Sequence, residues 1–138
     1  YGGSMTNYEL VRVFRKQMKL EVSDTPVLLS AEMVSYFSRF ILEELSEFMM
    51  ANECENIVDA ADALADLVYV TMGCAQAMGL PFDQIFKVVH EANMRKVIAP
   101  PDKRSAFGSQ HDCVKPADWQ PPEPLIKTII QKAKENAV

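Results

Sequence analysis

Between Arg39 and Lys87 the chain has no lysine or arginine, yet it carries nine carboxylates: Glu43, Glu44, Glu47, Glu53, Glu55, Asp59, Asp62, Asp66 and Asp83. Most other residues in that stretch are Leu, Ile, Val, Met, Phe and Ala. Such a segment must bury apolar surface with no fixed cation to offset its acids. Its apolar residues recur at intervals of three and four, the repeat of a helix rather than a strand. Met33, Val34, Phe37, Phe40, Ile41, Leu45 and Phe48 give one side of a helix predicted over 30–52. After a turn around 53–56, a second long helix is predicted over 57–78, with Gly79 as its C-terminal stop. So short a connection makes the two helices antiparallel neighbours.

The flanking sequence extends this to an all-α class, an antiparallel four-helix-type bundle. Thr6-x-x-Glu9 reads as a capping box opening a first helix, in which Leu10, Val11, Phe14 and Met18 keep helical spacing. Pro81 opens a fourth helix predicted to end near Lys96 or Ile98. Residues 99–124 form a long irregular stretch rich in Pro, Asp and Lys, followed by a short last helix over 125–135. There is no hairpin signal and no internal repeat. The 138 residues suit one domain, expected over 5–138, with Tyr1 to Ser4 reading as an addition ahead of Met5.

Several function classes are disfavoured. A net charge of −5, with the acids concentrated centrally, is the reverse of a nucleic-acid surface. No apolar run has membrane-spanning length. Three cysteines, Cys54, Cys74 and Cys113, form no CxxC and no disulfide framework. With no signal peptide apparent, the expectation is a cytoplasmic protein.

The acids fall into two stripes. Glu43, Glu44 and Glu47 are spaced three and four apart on the second helix, and Asp59, Asp62 and Asp66 likewise on the third. The third helix is otherwise apolar nearly all round, which predicts burial on most sides. At about 1.5 Å rise per residue, Glu47 and Asp62 lie roughly 7–9 Å from the turn, and Glu44 and Asp66 roughly 12–15 Å. Antiparallel helices therefore bring the pairs to similar heights. Converging carboxylates repel and resist desolvation unless a cation joins them. Oxygen-only ligands favour Mg²⁺ or Mn²⁺, and Mg²⁺ commonly leaves positions for substrate phosphates. A di-iron redox bundle would want Glu-x-x-His on these helices, but His90 and His111 lie elsewhere. The competing reading from another class is a helical interaction module whose acids form a solvated face.

On the fourth helix Phe82, Ile85, Phe86 and Val89 read as core, and Asn93 and Lys96 continue that stripe with polar heads suited to a phosphate. Lys103, Arg104 and Lys115 give the following stretch a basic tendency, and Trp119 is expected to anchor it on the bundle.

Four segments in order resemble the MazG-like all-α nucleoside triphosphate pyrophosphohydrolases, a superfamily including phosphoribosyl-ATP pyrophosphohydrolase and the dimeric dUTPases. They are Glu43-Glu44-Leu45-Ser46-Glu47 for E-E-x-x-E, the helix from Asp62 to Gly73, Val89-His90-Glu91-Ala92-Asn93-Met94-Arg95-Lys96 for V-H-x-x-N-x-x-K, and Val114 to Trp119 for K-P-x-x-W. The resemblance covers about residues 30–124. One position departs: Ala63 stands where the E-x-x-D pattern has Glu, so either Asp62 with Asp66 or Asp59 with Asp62 completes the set. The resemblance implies hydrolysis of a (deoxy)nucleoside triphosphate to the monophosphate and pyrophosphate, of house-cleaning, dUTPase or dCTPase type. It implies Mg²⁺ or Mn²⁺ on Glu44, Glu47, Asp62 and Asp66, a water oriented by Glu43 or Glu47, and phosphates held by Asn93, Lys96 and Lys115. Tyr69 or Asn93 would touch the sugar or base. A homodimer or homotetramer is implied, with neither nucleic acid nor membrane as partner.

Overall fold

A computed structural model describes residues 3–100, 102 and 113–137. Lys103, Arg104 and His111 lie outside the described residues. Among the described residues, five helices make up most of the structure: α1 (Asn7–Gln17), α2 (Ala31–Glu53), α3 (Ile57–Ala77), α4 (Phe82–Met94) and α5 (Glu123–Asn136). The all-α class is thus what the chain adopts.

Each long helix starts at a side chain that satisfies a free backbone N–H. Ser30 Oγ accepts from Met33 N–H at the start of α2, and Asn56 Oδ1 from Asp59 N–H at the start of α3. The turn between them passes through Glu55 in the left-handed region, at φ 54°. Thr6 caps α1 by accepting from Glu9 N–H. The Glu9 side chain meets the Thr6 hydroxyl rather than its backbone N–H, so the capping box is one-sided. That hydroxyl also donates to Asp83 Oδ2 at 2.7 Å, linking α1 to α4.

Packing between α2 and α3 dominates, with α1 laid across α3 and α5 against α4. The core centres on Phe37, Val70 and Ala77, with Leu29, Met33, Phe40, Ile41 and Cys74 around them. The α1–α2 connection is tied to the end of α3. Ser23 N–H donates to the Gln76 carbonyl and Val27 N–H to that of Met78. Fully buried Gln76 accepts from Arg12 Nη1 and donates to the Tyr8 carbonyl. Gly79 closes α3 at φ 64°, and a Cβ there would collide with the Thr25 carbonyl.

Four details differ from the sequence reading. First, α4 stops at Met94, so Lys96 is beyond the helix; the β-branched Val97 and Ile98 instead pair, antiparallel, with Val114 and Cys113. Two-residue strands (β1, Val97–Ile98; β2, Cys113–Val114) are too short for an alternation signal, and their partners are remote in sequence. Second, α5 begins two residues earlier, at Glu123, because Pro124 fits its first turn. Third, Phe86 is 64% exposed rather than core, since only one narrow side of α4 is covered. Fourth, α3 is not buried on most sides: Ile57 is 82% exposed, and Val58, Leu64 and Val68 are exposed too. Leu42, Leu45, Met49 and Met50 of α2 are likewise open. Two helices packed on each other cover only the seam between them, so their outer apolar surface stays open.

Candidate functional site

Where α2 meets α3, the carboxylates line two hollows. Glu44 and Asp66 share a cavity of about 400 Å³, walled by Val11, Phe14, Arg15, Tyr36, Phe40 and Tyr69 among others. Glu47 and Asp62 share a second, of about 450 Å³, with Met50, Cys54, Asn56 and Asp59. These are the pairs that the rise-per-residue argument sets at equal height.

Glu44 is the unusual member. It is only 8% exposed, and its Oε2 is the one fully enclosed side-chain oxygen or nitrogen without a hydrogen-bond partner among the described residues. Burial, reinforced by the charges of Glu47, Asp66 and Asp62, pushes its pKa up from 4.5 to about 7. A carboxylate with one oxygen lacking a donor, among three further acids, is costly to keep ionised. The arrangement suits a cation, and the orphaned Oε2 fits such a ligand. Among the described residues, no three Asp, Glu, His or Cys side chains are already disposed to hold a metal ion, so the carboxylates would have to draw inward around one.

The remaining candidates are dispersed. Glu43 is exposed and lines a separate groove with Glu32, Ser35, Tyr36 and Arg39. Asp59 is occupied in capping α3: its Oδ2 accepts from Asn56 Nδ2 at 2.8 Å, and it is not among the charges acting on Glu44. Asp62 is among them. Ala63, the departure from the family pattern, is buried at 1% exposure, one residue along from the exposed Asp62. Tyr69 stands in the Glu44 cavity with its ring edge-on to Phe14, centroids 5.5 Å apart.

Asn93, Lys96 and Lys115 line neither carboxylate hollow. The two lysines meet on Trp119, their Nζ atoms 5.7 and 4.7 Å from its ring centroid, and Trp119 Nε1 donates to the Ala92 carbonyl at 2.7 Å. Trp119 does anchor the returning segment, on the end of α4. His90 is exposed.

The sequence reading passed over Arg15, a buried cation in the Glu44 cavity. A basic residue near the end of an amphipathic helix is ordinary, and only the tertiary position of α1 turns it inward. The available signal was Gly73, which keeps α3 open where Arg15 lies: a Cβ there would sit 3.1 Å from Arg15 Nη1.

An acid-lined hairpin of long helices, continued by a shorter helical pair, defines the class as an all-α bundle. A family model for phosphoribosyl-ATP pyrophosphohydrolase matches residues 11–93, more than half of the chain, and the chain belongs to that MazG-like family of all-α nucleotide pyrophosphohydrolases. The match includes Arg15 and every carboxylate of both stripes, but stops short of Lys96 and the 114–119 segment. No curated protein matches the chain. No helix among the described residues is long and apolar enough to cross a membrane.

Proposed function

We propose that the chain hydrolyses a (deoxy)nucleoside triphosphate to the monophosphate and pyrophosphate, using Mg²⁺ or Mn²⁺ held by Glu44, Glu47, Asp62 and Asp66. The observation that carries this is the buried Glu44 with its orphaned Oε2, set among three acids and opening on a cavity of nucleoside size. The divalent ion, when bound, supplies charge neutralisation at the phosphates and Lewis acidity.

The residues contribute the rest. Glu47, exposed at the mouth of the second hollow, accepts a proton from the attacking water; Glu43 is the second candidate for orienting it. The water oxygen adds to phosphorus as the anhydride bond between the α and β phosphates breaks and pyrophosphate leaves. Tyr69 lies where a sugar or base would rest. Lys96 and Lys115, gathered on Trp119, offer two point charges for phosphate oxygens, with Asn93 nearby in sequence. They stand on a strap apart from the carboxylates, so their use requires closure of the strap or donation from a second copy. The exposed apolar residues of α2 and α3 support the second copy, as a homodimer or homotetramer.

Pyrophosphate release from a panel of NTPs and dNTPs with Mg²⁺ or Mn²⁺ tests the reading. Turnover of at least one nucleotide, abolished by chelation and by Glu47→Gln, is expected. No turnover together with no Mg²⁺-linked rise in melting temperature would overturn it and leave the interaction-module alternative.

A further inference from the structure

The Glu44 cavity has a feature that pyrophosphate chemistry does not use. Arg15 lines it while only 8% exposed. Burial lowers its pKa, an electrostatic cost that packing alone would not require of this position. Its guanidinium is held from two sides: Nε donates to the Glu21 carbonyl at 3.0 Å, and the Phe37 ring lies 5.5 Å from its central carbon. Nη1 and Nη2 make no hydrogen bond among the described residues, and neither is an enclosed orphan, so both stay accessible. No salt bridge joins Arg15 to Glu44 among the described residues. One cavity therefore holds a guanidinium and a carboxyl group that are not paired with each other.

Arg15 sits at the level of Phe37 and Gly73, seven residues and so about 10 Å along α2 and α3 from Glu44 and Asp66, and the rest of the lining is largely flat and apolar: Phe14, Tyr36, Phe40 and Tyr69, with Val11 and Val70. Such walls suit an aromatic ring better than a second phosphate. If the phosphates go toward Glu44 and Asp66, the sugar follows, and the ring edge farthest from the sugar meets Arg15. On that edge uracil, thymine and guanine carry a carbonyl, while cytosine and adenine carry an amino group. Arginine offers donors and no acceptor. Against a carbonyl the fork is satisfied; against an amino group two desolvated donors face each other.

We propose that Arg15 is a specificity-determining residue that selects nucleotides with an oxo group on the base edge distal to the sugar, over those with an amino group there. This rests on the nucleotide reading of the same site. Its fixed anchors, Glu21 and Phe37, make the fork a preset one, so discrimination is paid in affinity by the wrong base rather than in reorganisation by the right one.

The experiment compares kcat/KM for dUTP against dCTP, and GTP against ATP, in the wild-type protein, in Arg15→Gln and in Arg15→Lys. A wild-type preference of about tenfold or more for the oxo member of each pair is expected. In Arg15→Gln, whose amide both donates and accepts, the ratio should fall toward unity; in Arg15→Lys, which keeps the charge and loses the fork, it should fall part of the way. Absence of preference in the wild type, a preference for amino bases, or a uniform loss on all four substrates with the ratio kept would each overturn the proposal while leaving the hydrolase reading intact. Should Arg15→Gln fail to fold by circular dichroism, the Arg15→Lys ratio decides, an unchanged ratio refuting the role. If no nucleotide is turned over, the hydrolase reading fails separately; calorimetric titration with dUMP and dCMP then measures the same selectivity, and equal or absent binding refutes it.

Discussion

Replacing Glu44 by Gln should make the metal-free protein more stable at pH 8 and leave it nearly unchanged at pH 5. The isosteric amide keeps the volume and removes the charge. Glu44 has a folded-state pKa of about 7 against an ordinary 4.5, so the folded chain holds this proton more tightly than the unfolded one. Between those values the unfolded state binds fewer protons, and stability falls as pH rises; the loss is complete above about pH 7. At about 1.4 kcal/mol per pKa unit, the ceiling is roughly 3 kcal/mol. Glu44 borders open hollows, and solvent screening should reduce the realised effect to about 1–2 kcal/mol. For a domain of this size that is a rise of about 4–8 °C in melting temperature. The assay is thermal unfolding by circular dichroism at fixed protein concentration, in chelator, at both pH values. Addition of Mg²⁺ at pH 8 should then raise the wild type more than Glu44→Gln, because a ligand of the folded state stabilises only what it binds. Equal melting of the two proteins at pH 8 without metal, or a wild type that gains stability from pH 5 to 7 relative to Glu44→Gln, would refute the reasoning.

Other expectations follow from single contacts. Gly79→Ala puts a Cβ at a left-handed φ and into the Thr25 carbonyl, and should destabilise by about 2–3 kcal/mol in urea unfolding. Gln76→Leu replaces a fully buried amide and takes a partner from the half-buried Tyr8 carbonyl and Arg12 Nη1, and should cost about 1–3 kcal/mol by the same measurement. Trp119→Phe keeps an aromatic surface under Lys96 and Lys115 but loses the bond to the Ala92 carbonyl; faster amide exchange at 113–119 should report the loosened anchor. Val68→Glu with Leu64→Glu, on the exposed apolar side of α3, should shift sedimentation velocity toward the monomer.

What was legible in the sequence was whatever repeats locally. The α2 and α3 spans, their antiparallel pairing and the equal heights of Glu44 with Asp66 and Glu47 with Asp62 all follow from spacing and a short turn, because helix rise and turn length are nearly fixed quantities. The end of α4 was less legible. Asn93 and Lys96 keep helical spacing, but whether the helix continues through Val97 and Ile98 depends on Cys113 and Val114, which arrive from far along the chain to pair with them. Likewise the all-round apolar character of α3 signals partners on every side, yet one chain supplies only some of them. Periodicity records that a surface must be covered, not which molecule covers it.

Arg15 and Glu44 show why the cavity could not be read off in the same way. Both are charged residues at positions helical spacing treats as ordinary, and each becomes a cost only when another element closes over it: α3 over Arg15 at Gly73, and the Asp62 and Asp66 side of α3 against Glu44. A sequence can display an acid stripe, but the burial that makes one acid differ from its neighbours is tertiary. Glu43, Glu44 and Glu47 look alike as letters, yet among the described residues only Glu44 has an enclosed oxygen without a donor. A guanidinium and a carboxyl group at separate places in one aromatic-walled space, not paired with each other, give the cavity a direction. A ligand that relieves both must carry its anionic groups at one end and acceptors at the other, with a flat body between, and an oxo-base nucleotide with its cation meets all three requirements.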